Sequence, residues 1–220
     1  MELKDLDSED IEDLLIKVED SFGIRFADNE LGHVRTFGEL CDHIKDKIHL
    51  QKVEDCTSQQ AFYKLRLAFC NALQIGKEEV TPNTFLFDLL PSPYRRTKIA
   101  SLEENLGFKL SLLRPHYFIT STIAILAIAS LVGLFFNWTV GLAGLAIAIG
   151  GGWLANKIGE ELKVDTVGQL ADKITQENYL KARRNPSTFN EKEINELLKD
   201  WFSNHLKLDK SKLSREAKLI

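Results

Sequence analysis

His116–Asn156 reads HYFITSTIAILAIASLVGLFFNWTVGLAGLAIAIGGGWLAN and holds no Lys, Arg, Asp or Glu. At about 1.5 Å per residue, one helix over this stretch would be about 60 Å long, roughly twice the ~30 Å hydrocarbon core of a bilayer. A break is therefore required. It falls at Asn137-Trp138, where polarity and an interfacial aromatic coincide. Two spans result, Tyr117–Phe136 of roughly 20 residues and Thr139–Asn156 of roughly 18. Trp138 at the turn, with Tyr117 and Trp153 near the other ends, suits the aromatic belts of a bilayer. Gly133, Gly141 and Gly144 would let two antiparallel helices approach closely. Arg114 precedes the hairpin and Lys157 follows it, with Arg95, Arg96, Lys163, Arg183 and Arg184 nearby, while the turn is uncharged. The positive-inside rule then predicts a multi-pass membrane protein with two helices and both hydrophilic arms in the cytoplasm. The other reading, a hairpin buried in a soluble core, would demand more covering surface than small domains supply.

Outside the hairpin the 220-residue chain has material for two small soluble domains. A net charge of −4 gives no basic footprint for nucleic acid. Cys41, Cys56 and Cys70 lack ligand-like spacing and read as reduced thiols, and no metal site is expected. The acidic start MELKDLDSED is not a secretory signal. Neither an H-x-x-x-H pair, a phosphate loop nor a G-x-S-x-G elbow is present, so no catalytic residues are assigned and the chain reads as a non-enzyme.

Helical periodicity accounts for most of the rest. Ser8–Ile24 places Ile11, Leu14, Leu15, Val18 and Phe22 on one face, with Ser8 as N-cap, acidic residues in the first turn and Gly23 as the stop. Thr36-Phe37-Gly38-Glu39 is a capping box that opens a helix to about Ile48. Residues 57–75 make an amphipathic helix, and after a long hydrophobic loop a further helix runs from about Pro93 to Leu106, ending at Gly107. Thr166-Val167-Gly168-Gln169 opens a further capped helix to about Ile174, and the last helix covers about Glu191–Leu206.

An internal repeat orders these pieces. Leu65–Phe87 aligns without gaps on Leu198–Ile220, matching Leu65 with Leu198, Phe69 with Phe202, Leu73 with Leu206 and Val80 with Leu213. KVEDSFGI (Lys17–Ile24) aligns on SLEENLGF (Ser101–Phe108), and TFGEL (Thr36–Leu40) on TVGQL (Thr166–Leu170). The pattern resembles acyl carrier proteins, in which a first helix and hydrophobic loop lead to a D-S-L motif at the start of helix two. That helix ends in a stretch like L-E-x-x-F-G-I, and a T-Φ-G/x-x-Φ helix closes the bundle. Asp7-Ser8 before IEDLLIKVEDSFGI, the spacing from Ser8 to Phe22, and the loop EEVTPNTFLFDLL carry the likeness. It covers nearly all residues outside the hairpin. Glu9 stands where the family has an apolar residue, and Asp5-Leu6 where it commonly has a glycine.

The expected fold is therefore all-α, two small carrier-like helical bundles plus a two-helix transmembrane hairpin at 116–156. Residues 1–50 with 187–220 would form a circularly permuted carrier domain, and 57–114 with 160–180 the second. If the C-terminal arm completed a neighbouring molecule instead, a swapped homo-oligomer would result. The resemblance implies that Ser8 carries 4'-phosphopantetheine and that Asp7, Glu9, Asp10, Glu12 and Asp13 are read by basic partners. Those partners would be a phosphopantetheinyl transferase and acyl-transferring or lipid-synthesis enzymes, with membrane lipid around the hairpin. The alternative is a carrier-fold scaffold without a prosthetic group, in which Ser8 is an N-cap only. Ser92, in Pro91-Ser92-Pro93, occupies the comparable place in the second copy, and Tyr94, Arg95, Arg96 and Lys98 are expected against anionic head groups.

Overall fold

The computed structural model describes residues 8–28 and 30–218, with side chains from Ile11 onward. The chain is mostly helical and divides into two compact units, Met1–Leu65 with Ala171–Ile220, and Arg66–Leu170.

The first unit holds α1 (Ser8–Phe22), α2 (Phe37–Lys47), strand β1 (Gln51–Lys52) and the start of α3 (Thr57–Leu73). The second continues α3 into α4 (Leu86–Leu89), α5 (Arg95–Leu106), β2 (Leu113–Arg114), α6 (Tyr117–Gly133), α7 (Trp138–Ile158) and β3 (Glu161–Leu162). Helix α8 (Val167–Glu177) returns the chain to the first unit, which adds α9 (Tyr179–Ala182), β4 (Thr188–Phe189) and α10 (Glu191–His205). The strands make two minimal ladders, β1 parallel to β4 and β2 antiparallel to β3.

In the first unit α1 packs on α9 and α10, and α10 on α2. Leu14, Val18 and Phe22 of α1, Phe37, Leu40 and Ile44 of α2, and Ile194, Leu198 and Phe202 of α10 share one core with Leu213 and Ala217. Each of the larger of these side chains contributes about 1.5–3 kcal/mol by leaving water. Phe37 meets Phe202 edge-on at 5.0 Å. The segment after α10 thus completes a core begun by α1 and α2 of the same molecule. In the second unit Phe69, Val80, Leu86, Leu90, Leu102, Leu110 and Val167 are buried.

The repeat extends to individual hydrogen bonds. The Phe37 N–H donates to Ala217 O at 2.8 Å and the Gly38 N–H to Arg215 O at 2.9 Å. Their counterparts are Val167 N–H to Thr84 O at 3.0 Å and Gly168 N–H to Pro82 O at 2.8 Å. Both glycines are required by this approach: a Cβ at Gly38 would stand 2.7 Å from Arg215 O, and one at Gly168 2.9 Å from Pro82 O. Thr36 and Glu39 form a reciprocal capping box, and Thr166 and Gln169 make the same pair of bonds. Gly23 and Gly107 both end a helix at positive φ, 63° and 77°. Below each glycine a glutamate braces the following loop. Glu19 Oε1 accepts from the Phe26 N–H at 2.5 Å, and Glu103 Oε1 from the Leu110 N–H at 2.8 Å.

One boundary differs from expectation. The first hairpin helix ends at Gly133, not Phe136, and is the shorter at 17 residues against 21 for α7. Among the described residues, only α7 is long and apolar enough by length and composition to cross a membrane. The cause is local. Leu134–Phe136 bend into tight turns, with the Asn137 N–H closing on Gly133 O at 2.8 Å, and the Asn137 side chain starts α7 at once. Gly141 lies against Leu134 and Gly133, so a Cβ at Gly141 would stand 2.7 Å from Leu134 N.

Candidate functional site

The candidate serine opens α1, the helix whose inner face is fixed by Leu14, Val18 and Phe22. Asp7 lies outside the described residues, and for Ser8, Glu9 and Asp10 only the helical backbone is described. Glu12 and Asp13 are exposed, as is Ile16 at 54 %. They give α1 a solvent-facing side that is acidic with one apolar residue.

Ser92 provides the internal comparison. It stands the same distance before Gly107 as Ser8 does before Gly23, so the two serines share one register in the two copies. Ser92 begins a short 3-10 turn, Ser92–Tyr94, carrying Pro93, and its hydroxyl donates to Glu160 Oε2 at 3.0 Å. That bond belongs to a cluster at the end of α7. The buried Arg95 donates from Nε to Leu90 O at 2.8 Å and from a terminal nitrogen to Glu160 O. Arg96 donates to Gly159 O, and Lys98 to Leu89 O at 3.2 Å.

These cations have partners within the protein. Arg95, Arg96 and Lys98 each donate to a backbone carbonyl, and two of those carbonyls belong to the segment just after α7, where the ladder of a helix runs out. Arg95 is buried, whereas Arg96 and Tyr94, the latter 68 % exposed, face outward. Arg114, beside the start of α6, pairs with Glu161 at 3.0 Å across the β2–β3 ladder.

A second polar cluster lies in the first unit and was not foreseen. Arg183 is fully buried. Its Nε donates to Thr188 Oγ1 at 3.1 Å, one terminal nitrogen to Asp55 Oδ1 at 2.6 Å, and the other to Thr57 Oγ1 and to Tyr179 OH at 3.4 Å. Tyr179 OH donates to Glu193 Oε2 at 3.0 Å and accepts from the Asn190 N–H at 3.0 Å. Glu193 Oε1 also accepts from the Thr57 N–H at 2.8 Å. Beside this cluster a cleft of about 460 Å³ is lined by Gln51, Asp55, Cys56, Gln60, Tyr63 and Arg184, among others. Two arginines in a row before Asn-Pro read as surface charge. Only the pairing of β1 with β4 brings Asp55 and Thr57 to Arg183.

This chemistry is structural in kind. Burial raises the Tyr179 phenol above its usual range, which leaves it protonated as a donor to Glu193. Burial likewise pushes the Cys41 thiol up to about 12, so it is a packed neutral side chain at neutral pH. Among the described residues no three His, Cys, Asp or Glu side chains gather as a metal site. Compared with protein-family models, curated proteins and solved structures, the chain finds no match.

Proposed function

We propose that the chain is a membrane-attached carrier of the acyl-carrier type, presenting a phosphopantetheine-bound acyl group to membrane-associated fatty-acid, lipid or polyketide-type enzymes. The supporting observation is the register of Ser8. It heads one copy of a twice-used helix, as Ser92 heads the other, with the same left-handed glycine and glutamate brace downstream. A hydroxyl at a helix start is a sterically open nucleophile. Under a separate transferase it would lose its proton and attack the pantetheine-side phosphorus of coenzyme A, forming a phosphodiester to phosphopantetheine as the P–O–P bond breaks and adenosine 3',5'-bisphosphate leaves. The acyl group then rides as a thioester, and the acidic side of α1 (Glu12, Asp13) is the surface for basic partners.

The second copy plays a supporting part in this reading, because Ser92 is engaged by Glu160 and followed by proline. Attachment to lipid rests on α6 and α7, whose outer faces leave Phe118 74 %, Ile125 68 % and Ile149 73 % exposed without a charge between them. Both ends of the hairpin return to the β2–β3 ladder, so its flanks lie on one face of the bilayer. The basic residues near both ends support the cytoplasmic side for that face. Tethering raises the carrier's effective concentration near membrane-bound enzymes.

Intact mass after co-expression with a phosphopantetheinyl transferase tests the reading. A gain of one phosphopantetheine is expected, lost in Ser8→Ala and kept in Ser92→Ala. Protein that stays unmodified supports the other reading, a carrier-shaped scaffold at the membrane. The engaged Ser92 favours that reading to the extent that one copy already stands without a free serine.

A further inference from the structure

The hairpin's tip and its polar atoms decide how deep it goes. Phe135, Phe136 and Trp138 are 91 %, 87 % and 68 % exposed, so the turn offers an apolar surface outward. Several of its polar groups are paired within the turn itself. The Leu134 N–H closes on Ser130 O at 3.1 Å, Phe135 N–H on Val132 O at 3.1 Å and Phe136 N–H on Gly133 O at 3.1 Å. Asn137 Oδ1 accepts from the Thr139 N–H at 3.2 Å and from Thr139 Oγ1 at 2.7 Å, and the Gly141 N–H closes on Asn137 O at 3.0 Å. Along α6 the hydroxyls of Thr120, Thr122 and Ser130 each bond a carbonyl of their own helix. Hydrocarbon penalises every unpaired backbone group, and these bonds reduce that cost at the turn.

Length points the same way. Helix α6 is about 26 Å long and the charge-free part of α7, Trp138–Asn156, about 28 Å, against a ~30 Å hydrocarbon core that a tilt of about 20° makes longer still along the helix. Charge is confined to the base, where Lys157 stands 5.0 Å from the Trp153 ring and Arg114 pairs with Glu161. The turn has no cation to hold it among far-side head groups.

We infer that the hairpin enters lipid from one face and that its tip ends among the acyl chains of the opposite leaflet without emerging. The surface it fits is a hydrocarbon layer reached from one side, so a phospholipid monolayer over oil accommodates it as a bilayer does. This rests on the membrane attachment proposed above.

The test uses the full chain with Trp153→Phe, which leaves Trp138 as the hairpin reporter and Trp201, 2 % exposed in the first unit, as a constant background. The protein is placed in vesicles with its soluble units outside, verified by their complete removal with external protease. Iodide trapped inside is expected to leave Trp138 emission unchanged, while lipids brominated on their acyl chains quench it. The protein is also expected to float with monolayer-coated triacylglycerol droplets. Quenching by internal iodide, or flotation with vesicles but not with droplets, overturns the inference and leaves the attachment standing. Flotation with neither overturns both.

Discussion

Glu30 accepts from Lys47 Nζ at 2.6 Å and from the Ala27 N–H at 2.7 Å, and meets His43 Nε2 at 2.9 Å. The Lys47 bond, then the Ala27 N–H and then His43 hold its carboxyl down at about 2. A carboxyl lowered by folding stabilises the folded state above its ordinary value near 4.5. That contribution is lost as pH falls towards 2. Glu30→Gln is therefore expected to lower the thermal midpoint at neutral pH, with the two proteins converging near pH 2. A midpoint-versus-pH series checks this, and a difference that persists in acid contradicts it. At this scale the sequence was partly readable. The threonine caps at Thr36 and Thr166 followed from their own next three residues. Arg183 and Arg95 did not, because their partners Asp55 and Glu160 lie far off along the chain. An arginine before a turn looks the same whether it faces water or is itself buried among distant partners.

The helices that sequence periodicity delimits, α1, α2, α3, α5, α8 and α10, are those with an apolar stripe and a cap or glycine stop within them. The uncharged stretch forms two helices whose long and short arms are the reverse of the expected ones. Gly133 is the one break in the apolar run from Leu131 to Phe136, and a glycine is a weak stop signal in a hairpin whose second helix carries Gly141, Gly144 and Gly150 in its interior. The stop comes from the contact of Gly141 with Leu134. The two-residue strands were missed because ladders this short carry no period of their own. At the hairpin's base, Arg95 and Arg96 cover carbonyls of Gly159 and Glu160 that α7 leaves open. Arg95→Ala strips donors from Leu90 O and Glu160 O, and an unmet buried acceptor costs about 1–3 kcal/mol. Faster amide hydrogen exchange is then expected in the β2–β3 ladder and the last turn of α7, with the far end of the hairpin unchanged. An even rise over the whole second unit would mean the arginine holds general packing and not this junction.

Across the whole molecule the repeat was the most informative signal in the sequence, since one hydrogen-bond frame recurs about Gly38 and about Gly168. The order of the pieces follows from it: the second unit is nested in sequence between the two parts of the first. Leu213 and Ala217 are buried against α2 and its neighbours, and the Phe37 and Gly38 N–H groups depend on carbonyls of Ala217 and Arg215. Truncation before Asp209 removes these together, when loss of a single buried leucine side chain already costs about 2–5 kcal/mol. Limited proteolysis is expected to digest the first unit while a fragment within 66–170 survives; equal loss of both would show that neither stands alone. Nesting also sets an order of events during synthesis. The ribosome delivers α1 and α2 first, then the greasy pair α6 and α7, and only afterwards the strand of chain that finishes the opening module. That module must wait, half made, until the whole of the nested unit has left the ribosome, so the serine-bearing part is the last to close.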